Sequence, residues 1–122
     1  MVKIAINGFG RIGRPVFRRI FENHPNLAVV AINDLAETKT IAHLLKYDSI
    51  YRTFSKEVDF KNDELVVSGK TVKIFSEREP SRLPWRSLKI DIILECSGVF
   101  TEHETASQHL KAGAERVIIS AP

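Results

Sequence analysis

Asn7-Gly8-Phe9-Gly10-Arg11-Ile12-Gly13 is the segment on which the fold turns, because it sets G-x-G-x-x-G between an apolar strand and an amphipathic helix. Each glycine has its own task in such a turn. Gly8 permits the tight reversal, Gly10 leaves the backbone bare where a pyrophosphate would approach, and Gly13 lets the helix lie close on the strand. The N–H groups of the first helical turn and the positive end of the helix dipole then face an anion, with Arg11 and Arg14 adding favourable field. Before the turn, Ile4, Ala5 and Ile6 run almost continuously within Val2–Asn7, as in a strand buried on both faces. After it, Ile12, Val16, Phe17, Ile20 and Phe21 recur at helical spacing, with Arg11, Arg14, Arg18, Arg19 and Glu22 mainly on the opposite side. For a helix beginning at Arg11, Pro15 removes a donor that the first turn would use, so a loosened or 3₁₀-like first turn is expected.

Leu27–Asn33 reads as a second strand, completing a βαβ unit with a right-handed crossover. Asp34 follows it, about 20 residues past the last glycine, where this arrangement places a carboxylate on the adenosine ribose hydroxyls. A carboxylate there repels a 2′-phosphate, which favours NAD over NADP. Glycine-rich turns are common and a bare G-x-G-x-x-G is weak evidence. Strand, helix, strand and acid in this order make a dinucleotide site the stronger reading over an unrelated loop aspartate.

The rest of the chain extends the alternation. A helix is expected at 37–47, and a small antiparallel meander at 56–75, broken by Asn62-Asp63 and Ser68-Gly69, whose last strand at 71–75 joins or borders the main sheet. Pro84-Trp85-Arg86-Ser87 suits a single helical turn. A buried parallel strand at 90–95, a helix at 102–112 capped by Gly113 and a strand at 116–120 follow. The fold class is therefore α/β, a Rossmann-type, doubly wound, mostly parallel sheet with that meander inserted. The 122 residues suit one domain, residues 1–122, which stops just after a strand and so reads as truncated before a further domain. With 43% hydrophobic and 27% charged residues, composition excludes disorder and coiled coil. One cysteine excludes an internal disulfide framework and a four-cysteine zinc site. No apolar run approaches the roughly 20 residues of a membrane span, and no secretory signal opens the chain, so a cytoplasmic location is expected. The net charge of +3 is scattered outside residues 11–19, without interleaved aromatics, which argues against nucleic acid as a partner.

Five further segments narrow the reading: Asn33-Asp34-Leu35, His43-Leu44-Leu45-Lys46-Tyr47-Asp48-Ser49, Glu95-Cys96-Ser97-Gly98-Val99-Phe100, Ala112-Gly113-Ala114 and Ser120-Ala121-Pro122. Together with the glycine turn, and in this order, they resemble the phosphorylating glyceraldehyde-3-phosphate dehydrogenases along the whole chain. The resemblance implies an NAD site in which Arg11 and Ile12 meet the pyrophosphate through their backbone, Asp34 the adenosine ribose and Arg78 the adenine edge. Ser97 and Gly98 meet the middle of the cofactor, Ser120 faces the nicotinamide side, and Asn7, Gly8, Phe9, Gly10 and Phe100 complete the set. Ser97 replaces the family's more usual threonine but keeps the hydroxyl. Tyr51-Arg52 stands where the family usually has a small residue, commonly glycine.

The resemblance further implies a homo-oligomeric oxidoreductase of glycolysis or gluconeogenesis. In that family a thiolate attacks the aldehyde, hydride passes to NAD, phosphate releases the acyl group as 1,3-bisphosphoglycerate, and a histidine acts as base. The thiolate belongs to a Ser-Cys-Thr-Thr-Asn motif that this chain does not contain, so the small-molecule substrate is met only through a further, catalytic domain. No catalytic residue and no metal ligand is expected here. Cys96, ending an apolar strand, suits a small buried hydrophobe, and His43, His103 and His109 suit helix-surface or capping roles. The cofactor domain of an erythrose-4-phosphate dehydrogenase and a stand-alone nucleotide-binding module are the alternatives.

Overall fold

A computed structural model describes residues 1–47, 54, 56–97 and 103–120, and of residues 103–106 the backbone only. The elements are β1 (Val2–Asn7), α1 (Gly13–Asn23), β2 (Leu27–Asn33), α2 (Thr38–Lys46), β3 (Val58–Lys61), β4 (Glu64–Val67), β5 (Lys70–Phe75), a 3₁₀ turn (Pro80–Arg82), α3 (Trp85–Leu88), β6 (Ile92–Glu95), α4 (His103–Lys111) and β7 (Arg116–Ile119). They build a seven-stranded sheet in the order β3-β4-β5-β2-β1-β6-β7. Strands β5, β2, β1, β6 and β7 pair in parallel, while β3, β4 and β5 pair antiparallel. The meander forms at the expected turns, and its last strand, expected to join or border the main sheet, joins it by pairing with β2.

Each central strand is buried on both faces. Ile4 and Ile6 of β1 meet Phe17 and Ile20 of α1 and Ile41 and Leu45 of α2 in one core. Ala5, between them, turns to the opposite face, where Ala31, Ile93, Trp85 and Ala112 form the second core. Helices α1 and α2 therefore cover one face, and α3 and α4 the other. The chain leaves β1 toward β2 and leaves β6 toward β7, so the connections diverge between β1 and β6. Such sheets open a crevice at the carboxyl ends of the strands at that point.

Three expectations are corrected by the packing. Helix α1 begins at Gly13, not Arg11. The Arg14 N–H reaches Gly10 O at 3.1 Å and the Val16 N–H reaches Ile12 O at 3.2 Å, but the rung between them would need the N–H that Pro15 lacks. Ile12 lies outside the apolar stripe and is 45% exposed. Arg18, expected among solvated charges, is buried: its Nε and Nη2 donate to Leu45 O at the end of α2, and its guanidinium lies 5.4 Å from the centre of the Phe54 ring. An orphan carbonyl at a helix C-terminus is a natural acceptor for a cation.

Candidate functional site

The crevice at the divergence point is a cleft of about 500 Å³, within the range typical of small-molecule sites. The glycine turn forms one wall, Asn33, Asp34 and Leu35 the second, and Cys96 and Ser97 the third. A larger recess of about 670 Å³ lies beyond Leu35, between the start of α2 and the meander, and holds no residue of the glycine turn.

The turn's glycines differ in what surrounds them. Gly8 has φ +91°, and a Cβ on it would come within 3.0 Å of the Ser97 backbone. A Cβ on Gly13 would strike Gly8 O, so the helix lies directly on the turn. A Cβ on Gly10 would meet nothing within 4 Å, because that position faces the open cleft. The fold itself does not need Gly10 to be glycine. Gly10→Ala is accordingly expected to change stability by no more than about 0.5 kcal/mol, yet to weaken ADP about tenfold while leaving adenosine binding unchanged. Calorimetric titration with both ligands, beside a thermal melt, checks this.

Asp34 is fixed before any ligand arrives. Its Oδ2 accepts the Phe9 N–H at 2.7 Å and its Oδ1 the Ala36 N–H at 2.9 Å, which ties the end of β2 to the glycine turn and holds the carboxylate in the cleft wall. Phe9 contributes only backbone there, since its ring is buried and meets Phe17 edge-on at 5.5 Å. Arg14 braces the same turn, with Nη1 donating to Phe9 O at 3.0 Å. The remaining N–H groups at Arg11 and Ile12 precede the first helical rungs and suit an anion.

The other expected contacts divide. Asn7, Gly8, Phe9, Gly10, Asp34, Arg78 and Ser97 line one cleft, with Arg78 exposed at its rim. Arg11 and Ile12 are exposed at the mouth of the helix, outside that lining. Ser120 also lies outside it, its N–H donating to Glu95 O at 2.9 Å. Gly98 and Phe100 fall outside the described residues, as do Tyr51 and Arg52. Cys96 is half-buried, and burial, then the charge of Glu95, pushes its thiol up to about 11. A thiol raised in this way stays protonated at neutral pH. No cluster of metal-ligating side chains exists among the described residues.

A row of buried polar groups beneath the cleft went unread in the sequence. Asn33, Asn7 and Glu95 end three adjacent strands in register with one another. Asn33 Nδ2 donates to Asn7 Oδ1 at 2.7 Å, and Asn7 Nδ2 donates to Glu95 Oε2 at 2.7 Å. His109 of α4, expected at a helix surface, is fully buried, with Nε2 at 2.8 Å from Glu95 Oε2 and Nδ1 accepting from Trp85 Nε1 at 3.0 Å. Ser97 closes the row through N–H and Oγ–H bonds to Glu95 Oε1. His43, by contrast, is exposed on α2 as expected, and the His103 side chain is outside the described residues. The readable signal was the polar residue ending each apolar strand. Burial alone would raise the Glu95 pKa, but hydrogen bonds from His109, Ser97 and Asn7 outweigh it and lower the value below the usual 4.5.

A cleft with a bare glycine facing it and a fixed carboxylate on one side, followed along the chain by the exposed Arg11 and Ile12 just before α1, fits a dinucleotide. Comparison with known proteins agrees. Residues 2–103 match the family model described as glyceraldehyde 3-phosphate dehydrogenase, NAD binding domain. The chain is 54% identical over its full length to a glyceraldehyde-3-phosphate dehydrogenase of Thermotoga maritima, covering 37% of that protein. It is 57% identical over its full length to that of Clostridium acetobutylicum, covering 36% of it. Over 99% of its length it is 51% identical to that of Geobacillus stearothermophilus, again covering 36%. The chain thus spans little more than a third of the curated relatives it matches.

Proposed function

Given that this chain belongs to the glyceraldehyde-3-phosphate dehydrogenase family and carries its NAD-binding domain, we propose that it forms the cofactor site of a phosphorylating enzyme. The whole protein would oxidise glyceraldehyde 3-phosphate with phosphate to 1,3-bisphosphoglycerate, probed most directly through its NAD site. The observation that carries the reading is the cleft itself, where Gly10 opens on space beside the fixed carboxylate of Asp34. Bound NAD supplies the hydride acceptor.

This chain's residues bind and orient. The Gly10 to Ile12 backbone would take the pyrophosphate, Asp34 the adenosine ribose, Arg78 the adenine edge, and Ser97 the middle of the cofactor. We assign no catalytic residue to these positions, and the protonated thiol of Cys96 supports placing the nucleophile elsewhere in the protein. No helix among the described residues is long and apolar enough to cross a membrane.

Asp34→Ala tests the ribose contact. It is expected to weaken NAD at least tenfold, about 1.4 kcal/mol, and to narrow the preference for NAD over NADP, because the charge that repels a 2′-phosphate is gone. Titration of both cofactors decides it. An unchanged ratio of the two affinities would reduce Asp34 to a brace for the Phe9 N–H and sink the ribose assignment.

A further inference from the structure

We propose that His109, which lies outside the cleft, is a positioning residue for the cofactor, acting through Glu95 on Ser97 and on the glycine turn. The inference rests on the reading of the cleft as the NAD site. The indole N–H of Trp85 can only donate. Since it points at Nδ1 of His109 at 3.0 Å, that nitrogen must be the acceptor, and the ring proton sits on Nε2. Nε2–H therefore donates to Glu95 Oε2 at 2.8 Å. The tautomer of one buried imidazole is set by a tryptophan on another element.

Polarity then propagates without choice. Glu95, ionised, accepts from His109 and Asn7 on Oε2 and from the N–H and Oγ–H of Ser97 on Oε1. Asn7 must turn its amide nitrogen toward Glu95, which leaves its Oδ1 for Asn33. Asn33 in turn receives the Glu77 N–H at 2.8 Å and gives to Glu77 O at 2.9 Å, beside Arg78. The row thus runs from α3 and α4 across the ends of β6, β1 and β2 to the segment after β5. Its members touch the cleft at Ser97, at Asn7 before Gly8, at Asn33 and at Glu77. Among the described residues no buried side-chain nitrogen or oxygen lacks a partner, so reversing one member would set donor against donor or acceptor against acceptor at the next.

His109 is held in place for this role by its own helix end. Gly113, at φ +114°, ends α4, and Arg86 N–H of α3 donates to Ala112 O at 3.0 Å, which clamps the two short helices together and brings Trp85 against the imidazole. A core requiring only volume here would be served by an apolar ring. The imidazole is instead the one aromatic side chain that accepts from the indole on one side and donates to the carboxylate on the other.

The test compares His109→Phe, which keeps a ring and removes both bonds, with His109→Gln, whose amide can accept from Trp85 and donate to Glu95. Two readouts are taken well below each melting temperature: the NAD dissociation constant, and the chemical shift and hydrogen-exchange protection of the Ser97 amide without ligand. His109→Phe is expected to weaken NAD about tenfold and to lower Ser97 protection, and His109→Gln to restore both to within about threefold. A His109→Phe protein that melts earlier yet keeps parental NAD affinity and Ser97 protection would overturn the proposal, as would a folded His109→Gln that resembles it in both. Should His109→Phe fail to fold, Trp85→Phe replaces it. Nitrogen shifts of His109 are then expected to show the Nδ1–H tautomer appearing, with NAD weakened. An unchanged tautomer and unchanged NAD binding would again overturn the idea. Absence of NAD binding by the parent chain would instead refute the cofactor reading, while the Ser97 readout still decides whether His109 positions it.

Discussion

Glu95→Gln is expected to cost about 4 kcal/mol of stability at neutral pH, since it removes at least two charge-assisted hydrogen bonds worth roughly 1.5–3 kcal/mol each. The new amide NH₂ must face either Asn7 Nδ2 and His109 Nε2–H or the two donors of Ser97. Rotating Asn7 to receive it would turn the Asn7 amide nitrogen on Asn33 Nδ2, and Asn33 is itself fixed by the Glu77 peptide. The Ser97 hydroxyl can rotate, but its backbone N–H cannot. The cost is measured by denaturant titration. Acid sharpens the test. The folded Glu95 has its pKa lowered from the usual 4.5. The carboxylate's contribution is therefore complete above that value and is lost as pH falls below it toward the folded pKa. Parent and variant should differ most above about pH 5 and draw together only as pH falls below the usual carboxylate range toward the lowered folded pKa. A gap that stays constant down to that folded pKa would mean that the charge of Glu95 contributes nothing.

Gly8→Ala is expected to cost about 3 kcal/mol or more, because strain and overlap add at this residue. The backbone there sits at φ +91°, which L side chains rarely adopt, and the added Cβ would lie within 3.0 Å of the Ser97 backbone. Neither can be relieved locally. The Gly8 N–H is bonded to Asn33 O and the Cys96 N–H to Asn7 O, both at 2.8 Å, so the turn and the loop after β6 are each pinned to the sheet. A fall in melting temperature of about 10 °C is expected, with the Ser97 amide displaced. Gly13→Ala isolates the steric part, since its Cβ would strike Gly8 O without a positive φ to add strain. It should cost about 2 kcal/mol. A Gly8→Ala protein as stable as the parent would show that the loop after β6 yields freely, which would also undercut a rigid placement of Ser97.

The glycine turn, the βαβ unit, the meander and its entry into the sheet through β5 were all legible, because each rests on periodicity or turn chemistry within about a dozen residues. Pro15 already announced an irregular start to α1, and only the site of the missing rung moved that start to Gly13. Arg18 could not be read. Its acceptor, Leu45 O, is supplied by another helix, and helical spacing alone placed it with the solvated charges. Asp34 was legible as a candidate ribose ligand, whereas its bond to the Phe9 N–H required the two strand ends to be side by side.

The dinucleotide architecture and the NAD class of ligand follow from glycines, an acid and their spacing along one continuous stretch of chain, and were readable there. The polar row from Trp85 through His109, Glu95 and Asn7 to Asn33 exists only in the packed fold. Asn7, Asn33, Glu95 and His109 are spread along the chain from the first strand to the last helix, and each alone reads as a strand end or a helix surface. Parallel pairing aligns the three strand ends, and the packing of α4 on that face brings the imidazole to them. A hydrogen bond's direction is fixed by the partner it meets, and these partners meet only once the sheet has closed.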